Sequence, residues 1–359
     1  MENRPFRRAS PAAALGIAGA VVTLAVGAAS AGAPRPTATI PRLGNLGLAP
    51  FVRVRDRVIR EERALAAAQL AASHGGTYTT ATGEQVKVFV SDAYPVDDTV
   101  NQHWADFLGA LVHGSELAKI TVYVAPFAEM QSACQSTEAD GCYIFSNEEM
   151  VVPGDPPADG APIEEIVAHE YGHHIALNRS NWPWPAVEWG TKRWASYENV
   201  CRRVLAHTAF PGDEGENYFR NPGEAFAESY RVLNDERAPL ASVQLPWRMD
   251  GFEPDKTALD LVAQDVQKPW TGTYVSHWRG RLRARAIRRV VVATRDDGIA
   301  RFVLQARPGT AIAILDPTTG KPLGAATKQI RYGICGERRL TLAVFSLHGS
   351  AFSVMIARP

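Results

Sequence analysis

The stretch "AHEYGHH" at residues 168 to 174 constrains this chain more than any other. Residues four apart on a helix share a face, so His169 and His173 present two imidazoles to one side, with Glu170 about 100° round from His169. Two imidazoles at this spacing suit a tetrahedral divalent metal, with zinc the expected ion, and a carboxylate beside them suits handling the protons of water. Ile163, Ile166 and Val167, with Gly172 for close approach, allow the helix to be buried. Pro162 fits its first turn, where Glu164 and Glu165 complement the positive end of the dipole.

A catalytic zinc takes three protein ligands and keeps a fourth position open. Continuing the helix as HExxHxxGxxH would require Gly and His where Ala176 and Arg179 stand. The stretch "GTKRWASY" at Gly190 is similar to the GTxxDxxY of aspartate-ligand zinc peptidases, but Trp194 occupies the aspartate position. There remains "NPGEAFAESYR", which places Glu224 and Glu228 four apart on one face of an expected helix, about fifty residues downstream of His173.

The pair "HEYGHH … EAFAE" resembles the gluzincin metallopeptidases, and its E-x-F-A-E form is similar to the catalytic domain of anthrax lethal factor. The resemblance covers roughly Val86 to Arg231. It implies that Glu224 is the third metal ligand, with His169 and His173, and that Glu228 braces a ligand histidine. It further implies a zinc-dependent endopeptidase in which Glu170 is the general base. Tyr218, six residues before Glu224, is the first choice for a donor to the oxyanion, because the resemblance places a Tyr at a similar distance upstream. Tyr197, Tyr230, His207 and His277 stay open as alternatives. A catalytically silent zinc-containing binding or adhesion protein is the rival reading, and Glu170 argues against it, since a binding site has no need of a general base.

The expected fold is α+β. "VKVFVSD" and "KITVYVAP" read as strands around an amphipathic helix, "DDTVNQHWADFLGALVHG", and "CYIFSNEEMVVPG" as a further strand leading into the metal helix. A mixed sheet with helices on one side is expected, and a mostly helical half after it. In gluzincins the strand near Asn147, Glu148 and Glu149 offers an edge on which an extended peptide pairs. "PAVEWGTKRWASYENVCRRVLAH", "NPGEAFAESYRVLNDE" and "PDKTALDLVAQDVQ" read as helices. Trp182, Trp184, Trp189 and Trp194 read as core more readily than as a pocket wall, and His174 as a hydrogen-bonded histidine facing away from the ligands. Beyond Tyr274, short alternating runs separated by Gly, Pro and Asp predict a small β-sandwich, with Arg281, Arg283 and Arg285 on the outer face of a strand. This tail is similar in pattern to the pre-peptidase C-terminal type of β-domain. The metallopeptidase domain is thus expected over 76–270, and the sandwich over 274–359.

The N-terminus carries Arg4, Arg7 and Arg8 before an uncharged run from Ala12 to Ala33. Residues 1–31 therefore read as a signal peptide, with the mature chain starting near Gly32, or as an uncleaved anchor; either exports the body. Residues 32–75 read as a linker and a helical possible pro-segment. Of four cysteines, Cys134 and Cys142 are near enough to close a small loop, while Cys201 and Cys335 can pair or stay as thiols. Lys+Arg and Asp+Glu balance at 38 each, so nothing in the total charge argues for a nucleic-acid or membrane partner. The expected partner is a protein or peptide substrate.

Overall fold

The computed structural model describes residues 58–59, 72–157, 161–237 and 249–359. The expected leader (1–31) lies outside these residues, as does nearly all of the expected pro-segment (32–75). Val58–Ile59 form a strand where a helix was expected, and Ser73 opens the next. The fold is α+β. The described residues form two compact units, one ending at Thr271 and one running from Gly272 to Pro359.

The first unit is built on a six-stranded mixed sheet. Its strands are β1 (Val58–Ile59), β2 (Ser73–Thr79), β3 (Gln85–Ser91), β4 (Thr121–Ala125), β5 (Cys142–Ile144) and β6 (Glu149–Pro153). They lie in the order β1-β5-β6-β4-β3-β2, with β3, β4 and β6 parallel and β5 antiparallel to β6. The strand that begins at Glu149 is therefore interior rather than an edge. The outer side of β5 pairs with Val58–Ile59.

Helix α1 (Asp98–Ala110) packs on β2 and β3, its first turn capped by Asp97, whose carboxylate accepts from Thr99 N at 2.9 Å. Helix α2 (Phe127–Cys134) joins Tyr123, Ala125, Ile144 and Val151 in one apolar cluster on one face of the sheet. Tyr143, of opposite parity on β5, reaches the other face, where α3 (Ile163–Leu177) lies. Helices thus cover both faces, because the short α2 carries enough apolar surface to seal the second. A disulfide from Cys134, the last residue of α2, to Cys142, the first of β5, ties that helix to the sheet.

After a short antiparallel ribbon, β7 (Ser180–Asn181) and β8 (Trp184–Pro185), three short helices stand where one was expected: α4 (Ala186–Trp189), α5 (Lys192–Tyr197) and α6 (Val200–Leu205). Gly190 breaks the first from the second with φ +73°, and a Cβ there would meet the Trp194 ring at 2.3 Å. Helix α8 (Lys256–Gln267) supplies Asp265 to the start of α5, where it accepts from Thr191 Oγ1 at 2.7 Å and Arg193 N at 2.8 Å. Trp184 and Trp189 stack at 4.7 Å, and Trp194 packs edge-on against Phe226 at 5.5 Å. All three are buried, and only Trp182 of the four is exposed.

Helix α7 (Pro222–Arg237) follows a 3-10 turn at Tyr218–Arg220. Asn221 starts it by accepting from Gly223 N at 3.0 Å, with Pro222 in the first helical position. Helices α3 and α7 pack together, and Gly172 is the point of closest approach: a Cβ there would lie 2.8 Å from Ala227 Cα.

The second unit is an eight-stranded antiparallel sandwich. One sheet has the order β10-β15-β12-β13, from Ala286–Ala293, Arg339–Ser346, Thr310–Leu315 and Pro322–Ala326. The other has the order β14-β11-β16-β9, from Gln329–Ile334, Gly298–Ala306, Ser350–Arg358 and Tyr274–Leu282. Leu282, Phe302, Ile314, Leu342 and Val354 interdigitate in its core. Arg281 lies on β9 as expected, but Arg283 and Arg285 fall in the turn to β10, where Arg285 takes φ +58°.

No described cysteine is free; Cys201 and Cys335 are disulfide-bonded as well. Two disulfides place the chain in an extracytoplasmic, oxidising compartment. Among the described residues no helix is long and apolar enough to cross a membrane.

Two outcomes follow from this packing. Replacing Cys134 and Cys142 together by Ser lowers the unfolding free energy by about 2–3 kcal/mol, as closure of so short a loop predicts, measured by denaturant titration. Gly172→Ala, although Ala favours a helix interior by about 1 kcal/mol, lowers the melting temperature, because the added methyl overlaps the α7 backbone.

Candidate metal centre

Helix α3 is buried on every side from Glu165 to Ala176, so its polar residues face protein rather than water. His169, Glu170 and His173 are all buried. Helix α7 brings Glu224 to them from its first turn, itself only 1% exposed. Glu224 Oε2 lies 3.3 Å from His169 Nε2 and 3.2 Å from His173 Nε2. The three expected ligands thus converge with one donor atom from each within a 4.8 Å cluster.

These separations fit a metal. Donors held about 2.0 Å from a tetrahedral ion stand about 3.3 Å apart, and zinc binds imidazole nitrogen and carboxylate oxygen at that radius. The electrostatics agree: Glu224 Oε1 is buried with no hydrogen-bond partner among the described residues. A buried carboxylate left so is costly unless a cation joins it. The donor set of two imidazoles and one carboxylate therefore fits a divalent ion, with His169, His173 and Glu224 as the residues that would hold it.

Around these donors lies a buried network of which the sequence pointed only to Glu228. Glu228, one turn after Glu224, places Oε2 3.7 Å from His169 Nδ1, on the side of the ring away from Glu224. Arg231, wholly buried, donates to both oxygens of Glu228 at 2.9 and 2.8 Å. The same guanidinium pairs with Glu165 of α3 at 3.2 Å and with Asp235 at 2.5 Å. Burial opposes the charge on Glu228, but the bonds from Arg231 and the contact with His169 outweigh it and hold its carboxyl below the ordinary range. An ionised Glu228 fixes the His169 ring with Nε2 turned toward Glu224. The only advance signal for Arg231 was its place seven residues after Glu224, two helical turns along.

Glu170, the expected general base, is wholly buried on α3. The backbone just before β5 passes close to it: a Cβ at Gly141 would lie 3.1 Å from Glu170 Oε1. His174 faces away from the ligands. Its Nε2 donates to the Glu116 carbonyl and its Nδ1 accepts from the Tyr143 hydroxyl, both at 2.9 Å, and burial pulls its pKa down, in keeping with a neutral ring. It anchors α3 to β5.

Tyr218 is buried on the 3-10 turn just before α7. Tyr230 donates its hydroxyl to the Val112 carbonyl at 2.6 Å, and Tyr197 donates to Asp255 at 2.7 Å. His207 is exposed beyond α6, and His277 lies on β9 of the second unit.

No family model matches this chain, and no curated protein does. Among solved structures it is similar to PliG of Aeromonas hydrophila, a periplasmic lysozyme inhibitor of g-type lysozyme, at 7% identity over 24% of this chain and 87% of that one, with a TM-score of 0.22. It is similar also to the Yersinia pseudotuberculosis-derived mitogen, at 10% identity over 24% of this chain and 87% of that one, with a TM-score of 0.21. Likenesses this slight carry no argument about fold or function.

Glu228→Ala weakens zinc binding by about 10–100-fold in competition with a chelating dye, while the chain stays folded. Unchanged affinity would show that Glu228 does not orient His169. Arg231→Met, which leaves three carboxylates without their shared cation, costs about 3–5 kcal/mol of stability in denaturant titration.

Proposed function

We propose that this chain is an exported zinc-dependent endopeptidase of gluzincin type. The observation that carries the reading is the convergence of two imidazoles and one carboxylate at tetrahedral separations, with a further buried carboxylate, Glu170, one residue along from a ligand histidine. The same donor types serve iron(II) in redox sites. Glu170 favours hydrolysis, because a redox iron has no use for a base held beside its ligands.

A zinc ion bound by His169, His173 and Glu224 would polarise a peptide carbonyl and make water acidic enough to react near neutral pH. The chain's own residues do the rest. Glu170 accepts a proton from the attacking water on a carboxylate oxygen and passes it to the leaving amine. Glu228, held ionised by Arg231, keeps His169 oriented. Tyr218 donates its hydroxyl to the developing oxyanion. The substrate is a protein or peptide. Export follows from the leader and the disulfides, and release or anchoring depends on whether residues 1–31 are cleaved.

Elemental analysis of the purified protein is expected to give one zinc per chain, with chelator-sensitive cleavage of a mixed peptide library. Glu170→Gln keeps the zinc and lowers kcat/KM by about 10²–10⁴-fold, whereas Glu224→Ala loses most of the metal. Tyr218→Phe lowers kcat with KM little changed. Iron in place of zinc, or full activity in Glu170→Gln, would overturn the reading. Zinc without any cleavage would make the chain a binding protein.

A further inference from the structure

The zero net charge of the chain conceals a division between its units. Residues 72–271 carry 13 Lys and Arg against 30 Asp and Glu, a net of −17, while residues 272–359 carry 15 against 4, a net of +11. A polyanion is therefore repelled by the metal-centre unit and attracted by the sandwich.

Within the sandwich the charge gathers on one surface. In the sheet β14-β11-β16-β9, residues of one parity, such as Trp278, Phe302, Ile330 and Phe352, pack into the core. Those of the other parity face outward and include exposed His277, Arg279, Arg281, Arg301 and Arg331, with no acidic residue on any of the four strands. Arg301 and Arg331 stand directly opposite each other on β11 and β14. Like charges so placed repel and destabilise the pair. Arg301 Nε donates to Gln329 Oε1 at 3.0 Å, which satisfies one donor without neutralising the charge. None of the four arginines has a carboxylate partner among the described residues.

The register fixes the spread of these charges. Arg279 is paired with Ser353 and Arg281 with Ala351, both on β16, which separates β9 from β11. From strand spacing and rise, Arg301 and Arg279 are about 17 Å apart at the backbone, with Ser353 and Met355 between them. A single small anion cannot bridge that span, whereas a chain of anionic groups can.

We propose that this outer face docks a linear anionic polysaccharide, holding the sandwich against carboxylate- or sulfate-bearing glycan outside the cytoplasm. Arginine forks suit carboxylate and sulfate oxygens. Nucleic acid fits less well, because the outward residues of this face offer only the His277 ring for a base to stack on. A bilayer also fits less well: Val275 is the one large apolar side chain on this face that is strongly exposed, and basic charge on a flat sheet gives little to insert.

The test is equilibrium binding of fluorescein-labelled polygalacturonate to the full chain at several salt concentrations. Three competitors are compared: unlabelled polygalacturonate, single-stranded oligonucleotide, and vesicles of phosphatidylglycerol. Substituting Arg279→Ser, Arg301→Ser and Arg331→Ser together is expected to weaken binding at least 10-fold and to reduce the slope of log Kd against log salt by roughly three. The charge-matched set Arg283→Ser, Arg285→Ser and Arg289→Ser, off this face, is expected to change it less than 3-fold. No binding by the wild type, equal losses in both sets, or stronger competition by oligonucleotide or vesicles would overturn the proposal. Zinc content and peptide cleavage are unaffected by any of these outcomes, so this proposal and the peptidase reading stand or fall separately.

Discussion

The contact between α3 and α7 at Gly172 and Ala227 is the constraint on which the candidate metal centre rests. Each helix alone carries an incomplete donor set, His169 and His173 on one and Glu224 on the other. Only when the backbones approach to the distance that a missing Cβ permits do the nitrogen and oxygen atoms come within 3.2 to 3.3 Å. The capping of α7 by Asn221 matters for the same reason, since it sets where the helix begins and hence which way Glu224, in its first turn, projects.

Bringing these helices together buries a surplus of negative charge, which the fold must balance. Glu165, Glu228 and Asp235 surround the single guanidinium of Arg231, and Glu224 lies beside two imidazoles. Arg231 therefore joins α3 to α7 through Glu165 and Glu228 while holding ionised the carboxylate that faces His169. Cohesion of the two helices and the placing of the His169 ring share one residue. The opposite flank of α3 is fixed independently, through His174 to Tyr143 and Glu116. Glu170 is left on a third side, against the backbone at Gly141.

The two units differ in electrostatic character as sharply as in architecture. The metal-centre unit concentrates acidic residues, a few of them buried in the network just described, and the sandwich carries arginines without carboxylate partners on one sheet face. In the proposed peptidase, the sandwich would localise the chain on an anionic glycan while the acidic unit acted on protein nearby. Total charge could not reveal this, because the two excesses cancel once the basic N-terminal residues are counted.

The sequence by itself determined the local elements whose signals are periodic or stereochemical: the buried helix with its two histidines, the helix at Glu224, the alternating strands after Tyr274, and the pairing of the nearby Cys134 and Cys142. The break at Gly190 was not legible, since the residues on both sides keep helical spacing and read as one helix. Other features belonged to tertiary structure alone. That the strand at Glu149 lies inside the sheet, that α2 seals the second face, and that Arg231 serves three carboxylates all depend on which distant segments meet. A turn also removed Arg283 and Arg285 from the strand face and left Arg301 and Arg331 to share it with Arg279 and Arg281. Periodicity records which face of an element is apolar; it carries no information about which other element covers that face, and that choice is made by long-range packing.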